Sequence, residues 1–206
     1  MGLFGFGKSS KRIQGSIGYF GLAEWWLSAF SDDERHHIQS VFQPIGASSD
    51  SLTSGKILDT NETVVRFLGS MATWFNKEED RAIAHKILDK AIELSSNAPV
   101  IDVHFLYQQM IQTYYKDRDD PEYLEKAMDA CRRQIDLAPE AARAFRAEYG
   151  ESTLPVHKGY TQLAIILEKQ GRFQDAIDVC LQAKSQGWSE DWDRRIARYE
   201  KKLNKA

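Results

Sequence analysis

Between His157 and Gly187 apolar residues recur at helical spacing, interrupted once. Tyr160, Leu163, Ala164 and Leu167 form one apolar face, Gly171 breaks the pattern, and Phe173, Ala176, Ile177, Cys180 and Ala183 resume it. A break this short predicts two helices folded back on each other, with Gly171 at the turn and the small Ala176 and Ala183 where they cross. Weaker copies precede it. One covers His104 to Pro139, with Tyr107, Met110, Ile111 and Tyr114, then Ala127, Cys131 and a closing Pro139. Another covers Glu62 to Ser96, with Val65, Leu68, Gly69 and Ala72, then Ala84, Leu88 and Ala91. No strand-like alternation of useful length occurs, so the fold class expected is all-α.

The order of these residues resembles the tetratricopeptide repeat: Tyr160, Leu163, Phe173, Ala176 and Ala183 fit its pattern. Ala164 replaces its usual glycine, Leu167 and Cys180 its aromatics, and Trp188 its proline. The alanines Ala84, Ala127 and Ala176 are spaced more widely than the family's period of about 34 residues. The resemblance implies antiparallel helix-pair repeats stacked as an α-solenoid, whose first helices line a concave groove. Its groove-facing positions here are Arg66, Ser70 and Trp74, then Gln108, Gln112 and Tyr115, then Lys158 and Thr161. Amides, a cation and aromatics suit an extended peptide. Ser70, Gln112 and Ile165 stand where some family members carry the asparagines of a carboxylate clamp, so that clamp is not expected.

Helix-start signals divide the chain. Ser31 with Glu34, Asp59 with Glu62 and Asn76 with Glu79 have capping-box spacing. Asp120 before Pro121 predicts an N-cap with proline in the first turn. Pro139 to Tyr149 reads as an additional helix, Pro155 as the opening of the defining pair, and Ser189 as the cap of a final helix carrying Trp192, Ile196, Tyr199 and Leu203 on one face. Upstream, Ile17 to Phe30 reads as one helix with aromatic residues on several faces. Trp25 and Trp26 are its candidate docking residues, core packing being the plainer reading. Gln43 to Lys56, rich in Gly and Ser, reads as a linker. The expected organisation is a flexible tail (1–15), an aromatic helical element (16–43), a linker (44–57) and a helical-repeat domain (58–206) with a C-terminal cap.

Composition removes several classes. With 206 residues, 42% hydrophobic content and a formal charge of −3, the chain supports a real core and no general attraction to nucleic acid. No apolar run reaches a membrane span of about 18 residues. Cys131 and Cys180 fall at equivalent places and read as small buried thiols, and no Cys/His spacing suggests zinc. His36 and His37 point to different sides of a helix, and the acidic run Asp117, Asp119, Asp120, Glu122 lacks the glycine and closing Glu of a calcium loop. Asp102 near His104 is a possible pair with no nucleophile beside it. Gly2, Gly7, Lys8 and Ser9 satisfy the phosphate-loop pattern, but no strand is predicted to feed it, so the match is read as coincidence. Phe6 stands where a myristoylation motif wants Ser or Thr.

The function expected is therefore a cytoplasmic adaptor binding a protein or peptide in the groove, not an enzyme, with no cofactor or metal. The alternative is a structural subunit that self-assembles or docks through its aromatic N-terminal helix. Neither nucleic acid nor a membrane span is expected, and a homo-oligomer is left open.

Overall fold

The structure is a computed structural model that describes residues 13–45, 51–150 and 154–205. The start of the chain, with the phosphate-loop match at Gly2 to Ser9, lies outside them, as do residues 46–50 of the expected linker. Among the described residues there are ten α-helices and no strand; Leu154 and Trp188 form an isolated bridge. None of these helices is long and apolar enough to cross a membrane. The chain divides into two compact units, residues 1–62 and 63–206.

The first unit holds α1 (Gly15–Tyr19), α2 (Ala23–Ala29) and α3 (Asp32–Val41). The single helix expected over Ile17 to Phe30 is thus two. One straight helix would spread its aromatics around every face; the break at Phe20 to Leu22 lets Ile17, Leu22, Trp26 and Phe30 all be buried. The second half of the expected linker is tied down by α1. Backbone N–H groups of Gln14, Gly15, Ser16 and Ile17 donate to the carbonyls of Thr53, Gly55, Ser51 and Leu52 at 3.0–3.2 Å. These are the donors that a helix N-terminus leaves without intrahelical partners. Gly15 is required there: its φ is 58°, and an added Cβ would stand 2.3 Å from the Ser51 carbonyl oxygen. Ser31 and Glu34 form the expected capping box, each accepting from the other's backbone N–H, at 3.2 and 2.8 Å.

The second unit holds α4 (Val64–Ala72), α5 (Arg81–Glu93), α6 (Val100–Tyr114), α7 (Pro121–Tyr149), α8 (Lys158–Lys169), α9 (Phe173–Gln186) and α10 (Trp192–Leu203). Asp120 and Pro121 open α7 as expected, and Gly171 turns the chain between α8 and α9 with φ 73°. Other starts are shifted. Thr63 caps α4, because Asp59 accepts from Thr60 and is committed to the preceding turn. A 3-10 turn, Glu78–Asp80, leads into α5, and the Asn76 carboxamide oxygen instead accepts from Lys116 at 3.0 Å. His157, not Pro155, precedes α8, and Asp191, not Ser189, caps α10; the Ser189 hydroxyl donates to the Leu154 carbonyl.

The largest departure is at Pro139. The helix expected to close there and the one expected to follow are a single helix of 29 residues. A proline inside a helix removes one hydrogen bond and crowds the preceding turn, at about 3 kcal/mol. Here the buried stripe continues through it, with Ala127, Cys131, Gln134 and Ala138 before and Ala141, Ala142 and Phe145 after, while Pro139 itself faces solvent.

Helices pack with their neighbours in sequence: α4 with α5, α5 with α6, α6 with α7, α7 with α8, α8 with α9, and α9 with α10. Alternate helices touch as well, α4 with α6 and α6 with α8.

Candidate functional site

The face shared by α4 and α6 carries an open cleft of about 480 Å³. From α4 it is lined by Val65, Arg66, Gly69, Ser70 and Thr73, and from α6 by Ile101, Asp102, Phe105, Leu106 and Gln109. Both sets have the spacing of one helical stripe, and each residue of the first is matched by one of the second at an offset of 36. Tyr149, the last residue of α7, completes the lining.

Asp102 organises the centre. Its side chain is 1% exposed, and Arg66 donates to its Oδ1 through Nε at 2.9 Å and Nη2 at 2.7 Å. The Thr63 hydroxyl donates to Oδ2 at 2.8 Å. The carboxylate thus holds both the N-cap of α4 and a cation one turn further on. These bonds, and then the field of Asp102, hold the Arg66 guanidinium above its ordinary pKa, while its side chain stays 57% exposed. Phe105 is 41% exposed beside it. Asp102 does not pair with His104: two residues along a helix the side chains diverge, and His104 turns into the interior.

Of the groove positions read from the sequence, the structure brings Arg66 and Ser70 to this cleft. Trp74 is 39% exposed, just past the end of α4. On α6, Gln108 is half-buried and Gln112 exposed; neither lines the cleft. Tyr115 is half-buried, accepts from Lys169 Nζ at 3.0 Å, and lies under the Arg118 guanidinium at 5.0 Å. Lys158 is half-buried in the first turn of α8, and Thr161 is buried with its hydroxyl donating to the Lys158 carbonyl at 3.0 Å. In the first unit Trp26 is a core residue at 2% exposure, and Trp25 packs edge-on against Phe30 at 5.2 Å.

Sequence reading missed Asp102 as an anchor and Phe105, Gln109 and Tyr149 as lining. The offset of 36 residues was the available signal. The groove positions taken from the resemblance, Gln108 and Gln112, stand 42 residues after Arg66 and Ser70, whereas the residues of α6 that face those two across the cleft, Asp102 and Leu106, stand 36 after them.

A second polar cluster lies inside the unit, where α6, α7 and α8 meet. The rings of His104 and His157 lie 5.0 Å apart, and His104 stacks on Trp188 at 5.5 Å. Both histidines are fully buried; among the described residues neither nitrogen of His104 has a hydrogen-bond partner, nor has Nε2 of His157. Burial lowers His104 to about 4, and burial with the field of His104 lowers His157 to about 3. Gln134 ties the helices beside them, donating to the His104 carbonyl at 2.8 Å and accepting from the Gly159 N–H at 2.6 Å.

The other candidate groups are buried or paired. Cys131 and Cys180 are buried free thiols pushed up to about 12 and about 11 by burial. Asp117, from the acidic run, accepts from Arg81 Nε at 2.7 Å and faces His85 Nε2 at 3.4 Å. No group of three or more His, Cys, Asp or Glu that would hold a metal occurs among the described residues. Compared with protein-family models, curated proteins and solved structures, this chain finds no match.

Proposed function

We propose that residues 63–206 are a tetratricopeptide-like series of helix pairs, α4/α5, α6/α7 and α8/α9 closed by α10, and that the chain is a cytoplasmic adaptor holding a peptide or protein in the cleft between α4 and α6. The cleft carries this reading. Two helices present matched stripes at a fixed offset, as successive repeats do, and leave between them a mixed apolar and polar trough of about 480 Å³. Two ion pairs span this contact. Arg66 to Asp102 and Arg81 to Asp117 each join residues 36 positions apart, one at each end of the contact between consecutive pairs. The reading is of a binding protein and not an enzyme: the charged residues lining the cleft, Arg66 and Asp102, are engaged with each other.

The test is selection from a phage-displayed library of random peptides, with affinities then measured by calorimetry for the intact chain and for Ser70→Arg. Ser70 is exposed, so the variant keeps the fold and fills the trough. Selected peptides are expected to bind the intact chain and to lose at least about tenfold in affinity, roughly 1.4 kcal/mol, against Ser70→Arg at unchanged Tm. No selection, or peptides indifferent to Ser70→Arg, overturns the reading.

A further inference from the structure

We propose that the cleft takes an uncharged stretch of extended peptide, read through its backbone amides and one apolar side chain, and that it discriminates against acidic and terminal-carboxylate ligands. This rests on the peptide-binding reading above and specifies its partner.

The argument begins with what is already engaged. A lone arginine in a groove attracts carboxylates through two parallel N–H donors. Here the edge formed by Nε and Nη2 is taken by Asp102, whose side chain is 1% exposed and is held in place by Thr63 as well. The charge of Arg66 is therefore matched inside the protein. Among the residues lining the cleft the charges are those of Arg66 and Asp102, which sum to zero, so neither an arriving carboxylate nor an arriving ammonium finds an unmatched partner. The remaining Arg66 N–H groups are still donors, suited to a neutral carbonyl.

What remains unused is uncharged. Among the described residues, the Ser70 hydroxyl and the Gln109 carboxamide line the cleft and make no side-chain hydrogen bond. A carboxamide offers donor and acceptor together, the complement of a peptide unit, and a hydroxyl serves as either. They stand on opposite walls, Ser70 on α4 and Gln109 on α6. Phe105, 41% exposed on the same stripe as Gln109, supplies the apolar contact.

The experiment uses the full chain and three synthetic peptide libraries of equal length and apolar content, whose remaining positions are neutral (Ser, Asn, Gln), acidic or basic. Each is made with a free and an amidated C-terminus. The neutral library is expected to give the tightest binders, about tenfold or more tighter than the acidic one. Amidation is expected to leave Kd unchanged or to tighten it, and raising NaCl from about 50 to about 500 mM to change it by less than about twofold, since no net charge is being screened. Asp102→Asn frees the charge of Arg66 and is expected to move the preference toward the acidic library. Tightest binding by the acidic or basic library, or affinity lost on amidation, overturns the proposal while leaving peptide binding standing. Binding by none of the libraries removes both.

Discussion

Arg66 and Asp102, 36 residues apart, join α4 to α6 through two hydrogen bonds to a single carboxylate oxygen, one partner in solvent and the other 1% exposed. The asymmetry decides the energetics. Arg66→Ala leaves a buried carboxylate with Thr63 as its remaining partner. Loss of one member of a buried pair costs about 3–5 kcal/mol, and exposure of the arginine reduces that to about 1–3 kcal/mol here. Asp102→Asn keeps an acceptor for Thr63 and returns Arg66 to water. Arg66→Ala added to Asp102→Asn is therefore expected to cost almost nothing further. A double-mutant cycle by urea unfolding checks this: a coupling of at least about 1 kcal/mol is expected, and additivity would make the pair a surface contact without structural weight.

Two glycines inside helices predict opposite outcomes for the same substitution. At Gly69 an added Cβ meets the Leu106 Cδ1 at 4.0 Å, ordinary contact, so Gly69→Ala is expected to stabilise by about 0.5–1 kcal/mol through helix propensity. At Gly159 it would stand 2.9 Å from both the Cys131 carbonyl oxygen and Gln134 Oε1, and 3.1 Å from the His157 ring. Gly159→Ala must then push α8 from α7 or displace Gln134, which bonds both Gly159 and the His104 carbonyl. The expected loss is about 1–3 kcal/mol despite the same propensity gain. Thermal unfolding of both variants reads the two signs directly.

Helicity and most helix positions were legible because amphipathic period and turn glycines are local properties. The break at Phe20 to Leu22 was not, because a helix apolar all round states that it is covered and not how. Pro139 misled for the converse reason: its cost is local, while the stripe that overrides it depends on α6 and α8. Arg66 and Ser70, groove positions implied by the repeat resemblance, line the cleft because both stand on the exposed side of α4. Asp102 reads as a possible pair with His104, two residues on, while its partner Arg66 lies on another helix. The setting of the buried histidines depends on Trp188, 31 residues beyond His157, whose ring lies 4.6 Å from His157 and 5.5 Å from His104.

Pro139 is exposed, in the middle of α7, with no backbone N–H to continue the ladder. Pro139→Ala is expected to restore that bond and raise stability by about 1–3 kcal/mol, offset in part by greater freedom of the unfolded chain. A higher urea midpoint with unchanged far-ultraviolet dichroism is the expected result. A lower midpoint would mean that the proline sets a direction α7 needs to bring Ala141, Ala142 and Phe145 into the core.

The buried histidines fix how the fold responds to acid. In the unfolded chain each takes a proton near 6.5; folded, burial lowers His104 to about 4 and His157 to about 3. Between these values the unfolded state binds more protons, so stability falls as pH falls. The contribution is complete above 6.5 and is lost progressively down to about 4 for His104 and about 3 for His157. Each histidine contributes up to about 1.4 kcal/mol per pH unit inside its window. His85 is lowered by burial against the opposing field of Asp117 and acts in the same direction. Urea unfolding between about pH 7 and pH 4.5 is expected to show this steep decline. His104→Phe isolates one contributor: with no partner on either ring nitrogen and aromatic neighbours in Phe105, Phe145 and Trp188, the site accepts a phenyl ring. Stability at neutral pH is expected to change by less than about 1 kcal/mol, and the acid slope to flatten by up to about 1.4 kcal/mol per pH unit. An unchanged slope would mean that His104 takes up its proton in the folded protein as readily as in the unfolded chain, and would place the acid sensitivity in other groups.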